Sequence, residues 1–297
     1  MLARRVSSAK LTSIIAAGLG PDIVGGVRIT ATSKTDVGRL RQGNEDSVLV
    51  DEDLGLFIVC DGMGGHAAGE VASQAAVATI AERVAEGLSA IDELEPERRA
   101  TGLAELLRDG VDRANARVHA IGEQDSSKRG AGTTCTALLI VAGTAALAHV
   151  GDSRLYLLRR GTIEQVTEDH NVRNELLKRK KMSREKVEQL PQKNAVTRAV
   201  GVYEHVEPDT LALDLAAGDR LLICSDGLSM YFEEDLERLG QILRSHDENE
   251  VVRQLIDAAN LEGGKDNITA IVITMATGEQ GDERARKLAL KREILAR

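Results

Sequence analysis

The sequence predicts an α+β fold, a central sandwich of two antiparallel sheets flanked by helix pairs. Three observations lead there. Apolar periodicity runs along the chain as strands, two helices, strands, two helices, strand. Short turns at Gly143 and Gly161 join neighbouring strand runs, which makes those runs hairpins and therefore antiparallel. The helices carry apolar stripes, so each pair needs a sheet face to cover.

The pattern becomes regular near residue 27, with strands expected over 27–33, 47–51 and 56–60. The last of these, LFIVC, is a continuous apolar run of the kind buried on both faces. The period then changes. Val77, Ile80, Ala81, Val84 and Leu88 recur at helical spacing opposite Glu70, Gln74, Glu82 and Glu86. A second stripe holds Leu103, Leu106, Leu107, Val111, Ala114, Val118 and Ile121, and residues 93–99 with Pro96 read as the connection. Strands follow at 133–141, 145–150, 154–159 and 162–166, read together as one antiparallel meander. Residues 171–190 are polar with helical tendency. Strands return at 209–213 and 220–225, helices at 233–244 and 249–260, and a final strand at 268–275.

At 297 residues the length suits one large domain or two small ones. Aromatic residues make up 2% with no Trp, so the core is built from Ala, Val, Leu and Ile, and base stacking has no support. The formal charge is −9, from 38 basic and 47 acidic residues, which disfavours general polyanion binding. Nucleic acid is not an expected partner. Cys60, Cys135 and Cys224 sit in apolar runs without CxxC spacing, which points to a reducing compartment and away from a thiolate zinc site. No apolar run reaches the ~18 residues of a membrane span. Residues 1–26 place Arg4, Arg5 and Lys10 ahead of a short, interrupted apolar stretch. They read as a disordered leader rather than a signal peptide, so the expected location is cytoplasmic. Residues 277–297 read as a charged, loosely attached helical tail. No self-complementary patch marks an oligomeric state.

The informative residues are acids at strand ends beside glycine or serine. Asp61 follows LFIVC and opens DGMGG; Asp152 lies in GDSR, Asp226 in SDGL and Asp266 in GGKDN, and Glu45 and Asp46 precede a strand in RQGNEDS. A single Asp–Gly is most simply a turn. Four or more at the edges of buried strands are costly unless something compensates them. Facing carboxylates repel unless cations sit between them, and an all-oxygen donor set selects Mg²⁺ or Mn²⁺ over zinc or copper. Two such ions ~3.5–4 Å apart can hold a hydroxide for in-line attack at phosphorus. Residue types alone therefore reach a metal-assisted phosphoryl hydrolase.

Six motifs in order, TDVGRLRQGNEDS, VCDGMGGHAAGEVAS, GTT, HVGDSRLY, ICSDGL and GGKDNIT, closely resemble the bacterial protein phosphatase 2C family of PPM-type metal-dependent serine/threonine phosphatases. The resemblance spans roughly residues 28–275 and implies a four-layer αββα fold. It implies hydrolysis of phosphoserine and phosphothreonine on proteins, two Mn²⁺ or Mg²⁺ ions with a possible third, and a cognate serine/threonine kinase as the opposing partner. By the same resemblance Asp61 bridges two metals and the Gly62 carbonyl completes one shell. Asp226 and Asp266 hold further positions, and Glu45 and Asp46 act near the metals, Glu45 through water. Asp152 joins Asp226 at the third ion, and Arg41 clamps the substrate phosphate, a task suited to a planar bidentate donor. Met63 stands where some eukaryotic relatives have a histidine, which leaves His66 or a metal-bound water as candidate proton donor. The phosphatase domain is expected over 27–276, with 168–199 as the flap beside the site. The flap holds Lys178, Arg179, Lys180, Lys181, Arg184 and Lys186, either a solvated face or an electropositive lip for acidic substrates. Two rival readings are a phosphoprotein-binding pseudophosphatase, which predicts missing ligands, and a hydrolase of small phosphoesters on the same centre.

Overall fold

The computed structural model describes residues 27–277 except 65, 66, 93 and 246. The expected leader, nearly all of the tail and the candidate donor His66 lie outside the described residues. In chain order the elements are β1 (Val27–Asp36), β2 (Asp46–Asp51), β3 (Leu56–Met63), α1 (Ala67–Asp92) and α2 (Pro96–Gln124). There follow β4 (Gly132–Thr133), β5 (Cys135–Val141), β6 (Thr144–Val150), β7 (Arg154–Arg159), β8 (Thr162–Gln165), α3 (Val172–Lys178) and α4 (Arg184–Glu188). The chain closes with β9 (Asp209–Asp214), β10 (Arg220–Cys224), α5 (Asp226–Ser229), α6 (Leu236–Leu243), α7 (Glu248–Leu261) and β11 (Ile268–Thr277).

Two antiparallel sheets result. One runs β1-β11-β10-β7-β8; the other runs β2-β3-β5-β6-β9, with β4 beside β3. Side-chain alternation sorts the layers. In β3, Leu56, Ile58 and Cys60 pack under the α1–α2 pair, while Phe57 and Val59 point into the space between the sheets. In β10 and β11, Leu222, Cys224, Ala270 and Val272 pack under α6 and α7, and Leu221, Ile223, Ile271 and Ile273 face the other sheet. The order is helices, sheet, sheet, helices, as the α+β sandwich reading requires. All three cysteines are buried and unpaired. Among the described residues no helix is long and apolar enough to cross a membrane.

The expected meander is corrected. The hairpins β5–β6 and β7–β8 belong to different sheets, because β6 pairs β9 and β7 pairs β10. The chain changes sheet through Gly151 and Asp152, where Gly151 has φ +107° and a side chain would overlap Thr134 at 2.6 Å. The connection expected around Pro96 is also corrected, since α2 begins at Pro96 itself. Proline suits a first helical turn, whose N–H groups have no partner in the helix. Finally, the run over 133–141 breaks at Thr134, whose hydroxyl accepts the Asp61 N–H at 2.9 Å.

Candidate active site

The acids gather where the two sheets meet. β2 and β3 place Asp46 directly opposite Asp61 in register. β10 ends at Cys224 and turns through Ser225 into α5, which starts at Asp226. Asp266 stands two residues before β11, and Asp152 sits in the crossing between β6 and β7. Hydrogen bonds tie the sheets together here: Asp46 Oδ2 accepts from Ser225 Oγ at 2.8 Å and from Thr269 Oγ1 at 2.6 Å. Thr134 N–H and Thr133 Oγ1 donate to the Asp61 carbonyl at 2.8 and 2.9 Å, which fixes that turn of backbone.

Asn267 holds the Glu45 loop. Its Nδ2 donates to Val37 O and Gly43 O at 2.9 Å each, and its Oδ1 accepts the Glu45 N–H at 2.9 Å. Gly62 passes close to Gly69 at the start of α1: a Cβ on Gly62 would lie 2.2 Å from Gly69 O and 2.6 Å from Glu45 O. Only glycine permits that approach, and the Glu45 carboxylate lies against Gly69. Arg41 reaches in from the solvent side, half-exposed, and donates to Asp266 Oδ2 at 2.7 Å.

The acids lie close enough to perturb one another's ionisation. Burial, then the charges of Asp46, Asp226, Asp152 and Asp266, push the Asp61 carboxyl well above the usual range. Burial raises Asp46 to about 7, helped by Asp226 and Asp266 and opposed by the Thr269 and Ser225 bonds. Burial and Asp266 raise Asp226 to about 6, while burial, Asp226 and Asp169 raise Asp152 to about 8. Each carboxylate makes its neighbours harder to ionise. Asp46 Oδ1 and Asp226 Oδ1 are buried without a hydrogen-bond partner, each costing about 1–3 kcal/mol. Cations would relieve both the orphaned oxygens and the mutual repulsion, so the donor set fits divalent ions. Among the described residues no three acidic, imidazole or thiol side chains close into a ready cage for one ion. Mg²⁺ and its like ordinarily bind through one or two carboxylates and keep several waters.

The structure thus brings together Asp46, Asp61, Asp152, Asp226 and Asp266, with Glu45 and Arg41 at the rim; Met63 lies beside them in β3. Sequence reasoning missed Asn267, Ser225, Thr269 and Thr134, which lie within or beside the quoted motifs as the neutral neighbours of the acids. It also missed Asp169 and His170, which bond Arg154 and Gly151 on either side of Asp152.

The model of the family described as protein phosphatase 2C matches residues 36–261. The chain belongs to that family. Among curated protein phosphatase 2C relatives, the serine/threonine phosphatase stp of Listeria welshimeri is 37% identical over 255 residues, covering 84% of this chain and 98% of that protein. The serine/threonine protein phosphatase PstP of Mycobacterium tuberculosis is 36% identical over 249 residues, 84% of this chain and 45% of that longer protein. Among solved structures, that of M. tuberculosis PstP/Ppp superposes with a TM-score of 0.73 at 35% identity, covering 84% of this chain and 99% of the other. A structure of the PstP catalytic domain in complex with two manganese ions gives a TM-score of 0.71 at 34% identity, with 84% and 99% covered.

Proposed function

We propose that this protein phosphatase 2C member is a metal-dependent protein serine/threonine phosphatase that hydrolyses phosphoserine and phosphothreonine by attack of activated water on phosphorus. The observation that supports it best is the shared site of five aspartates with two orphaned carboxylate oxygens beside Arg41. When bound, Mn²⁺ or Mg²⁺ supplies the acidity that makes water nucleophilic near neutral pH and offsets phosphoryl charge. Asp61, the Gly62 carbonyl, Asp226 and Asp266 would hold two ions, Glu45 and Asp46 would act beside them, and Asp152 with Asp226 would hold a third.

The chain's own geometry supports those roles. Ser225 and Thr269 occupy Asp46 Oδ2, which leaves Oδ1 buried without a hydrogen-bond partner. Asn267 sets Glu45 by its backbone rather than its side chain. Arg41, paired with Asp266, is positioned to exchange that carboxylate for a substrate phosphate, a better bidentate partner. All these acids are present, which disfavours the pseudophosphatase reading.

The catalytic unit is residues 27–276, with 168–199 as the flap. The cognate partner is a serine/threonine kinase whose products this enzyme reverses, in the cytoplasm. The test is phosphate release from a phosphothreonine peptide by wild type and Asp226→Asn, with Mn²⁺ and with EDTA. Mn²⁺-dependent turnover that drops by about 10³-fold or more in the variant supports the reading. No turnover by folded, Mn²⁺-loaded wild type would sink it in favour of phosphoprotein binding, and preferred turnover of p-nitrophenyl phosphate would favour small esters.

A further inference from the structure

Outside the acidic site, a buried set of polar contacts lies at the root of the flap. His170 holds Gly151 from both sides: its backbone N–H donates to Gly151 O at 2.7 Å, and its ring Nδ1 accepts the Gly151 N–H at 3.1 Å. Nδ1 is therefore the unprotonated nitrogen, and Nε2–H donates to Asp209 Oδ2 at 3.2 Å. Arg198 donates to the other Asp209 oxygen at 2.7 Å. The preceding residue, Asp169, takes both Nε and Nη2 of Arg154, at 3.0 and 2.7 Å, in a buried fork. Gly151 and Arg154 bracket Asp152 in GDSR, so consecutive flap residues hold the two ends of the turn that carries Asp152.

The same two residues anchor the flap. Asn174 Nδ2 donates to the Asp169 carbonyl at 3.0 Å, Asn171 caps α3 through the Asn174 N–H at 2.9 Å, and the Thr197 N–H donates to the His170 carbonyl at 2.8 Å. Both strands of the flap root thus end on the pair that fixes the Asp152 turn.

We infer that Asp169 and His170 are positioning residues that set Asp152 for metal binding and couple its placement to the flap. The inference rests on the proposed role of Asp152 as a metal-holding residue. His170 does its part through Nδ1, by orienting Gly151, whereas its contact with Asp209 only fixes the ring. Asparagine places an acceptor oxygen where Nδ1 lies; glutamine reaches instead toward the Nε2 position.

The experiment counts Mn²⁺ bound to the purified full chain by the electron paramagnetic resonance signal of free Mn²⁺, alongside melting temperatures. Asp152→Asn is expected to lose the weakest Mn²⁺ site. His170→Gln is expected to weaken that site by tenfold or more, His170→Asn to stay within twofold of wild type, and Gln in the Asp152→Asn background to add nothing, since interacting sites are non-additive. If Asp152→Asn binds Mn²⁺ like wild type, the assignment of Asp152 itself fails. If Asp152→Asn loses the site while Gln and Asn variants behave alike, or while Gln matches wild type, the positioning inference is overturned. Loss of fold in both His170 variants would overturn it too, by assigning His170 to stability.

Discussion

The side-chain carbonyl of Asn267 accepts the backbone N–H of Glu45 at 2.9 Å, joining a residue of the last loop to one of the first across 222 positions of sequence. With the two bonds donated to Val37 and Gly43, one buried amide side chain shapes the loop that carries Arg41 and Glu45 into β2 at Asp46. Asn267→Ala removes all three bonds from the loop backbone. We predict about 3 kcal/mol of lost stability and at least a tenfold fall in kcat. Urea unfolding and phosphopeptide turnover check this, and unchanged values in both would refute the loop-shaping role.

Metal-free protein is predicted to lose stability as pH rises. The unfolded aspartates titrate near 3.8, whereas burial and mutual repulsion lift folded Asp226, Asp46 and Asp152 to about 6, 7 and 8. Between those limits the folded state keeps protons that the unfolded state has released, so stability is greatest at the acidic end and falls through about pH 8, with Asp61 adding to the loss in the same direction. Saturating Mn²⁺ takes the place of the protons and removes the slope. Melting temperatures in EDTA and in Mn²⁺ from pH 5 to 8 measure it; a flat profile in EDTA would contradict the shared-site electrostatics.

Gly62→Ala tests the close approach of β3 to α1. Its Cβ would sit 2.2 Å from the Gly69 carbonyl oxygen, and both neighbours are backbone that cannot swing aside. The expected cost is about 1–3 kcal/mol from forced separation. Activity should fall by about 10²-fold, because the displaced Gly62 carbonyl belongs to the proposed metal site. Calorimetry and turnover decide; a fully active variant would remove Gly62 from that site.

The flap makes a prediction about substrates. Lys178 pairs with Glu168 and Arg179 with Glu175, while Lys180, Lys181, Arg184 and Lys186 stand exposed. Replacing those four by Glu should raise KM for an acidic phosphopeptide about tenfold at low salt, leave kcat unchanged, and lose its effect at high salt. An equal KM for acidic and neutral peptides in wild type would show these cations to be a solvated surface.

Much of the architecture could be read from the chain because it rests on local periodicity. Leu56, Ile58 and Cys60 against Phe57 and Val59 announce a strand between two apolar layers whatever surrounds them. Sheet membership is not local in this way. β6 and β7 read as neighbours until β9 and β10, some sixty residues later, prove the better partners, as they do here. The acids of the site stood out because a carboxylate beside a buried strand is anomalous by itself. Asn267, Thr134 and His170 are ordinary residues for loops and strands, and their importance lies in single partners distant in sequence. Pro96 misled for a simpler reason: proline both ends connections and begins helices.

β1 pairs along its length with β11, and Thr269 of β11 supplies one of the two hydroxyls on Asp46. During synthesis, a chain on the ribosome that has already made Asp61, Asp152 and Asp226 still has no completed centre. Among the described elements the closing strand arrives last, so the centre can be assembled only after β11 has been made. Products stalled before β11 would be silent rather than promiscuous, because folding of the centre must wait for its most distant contacts.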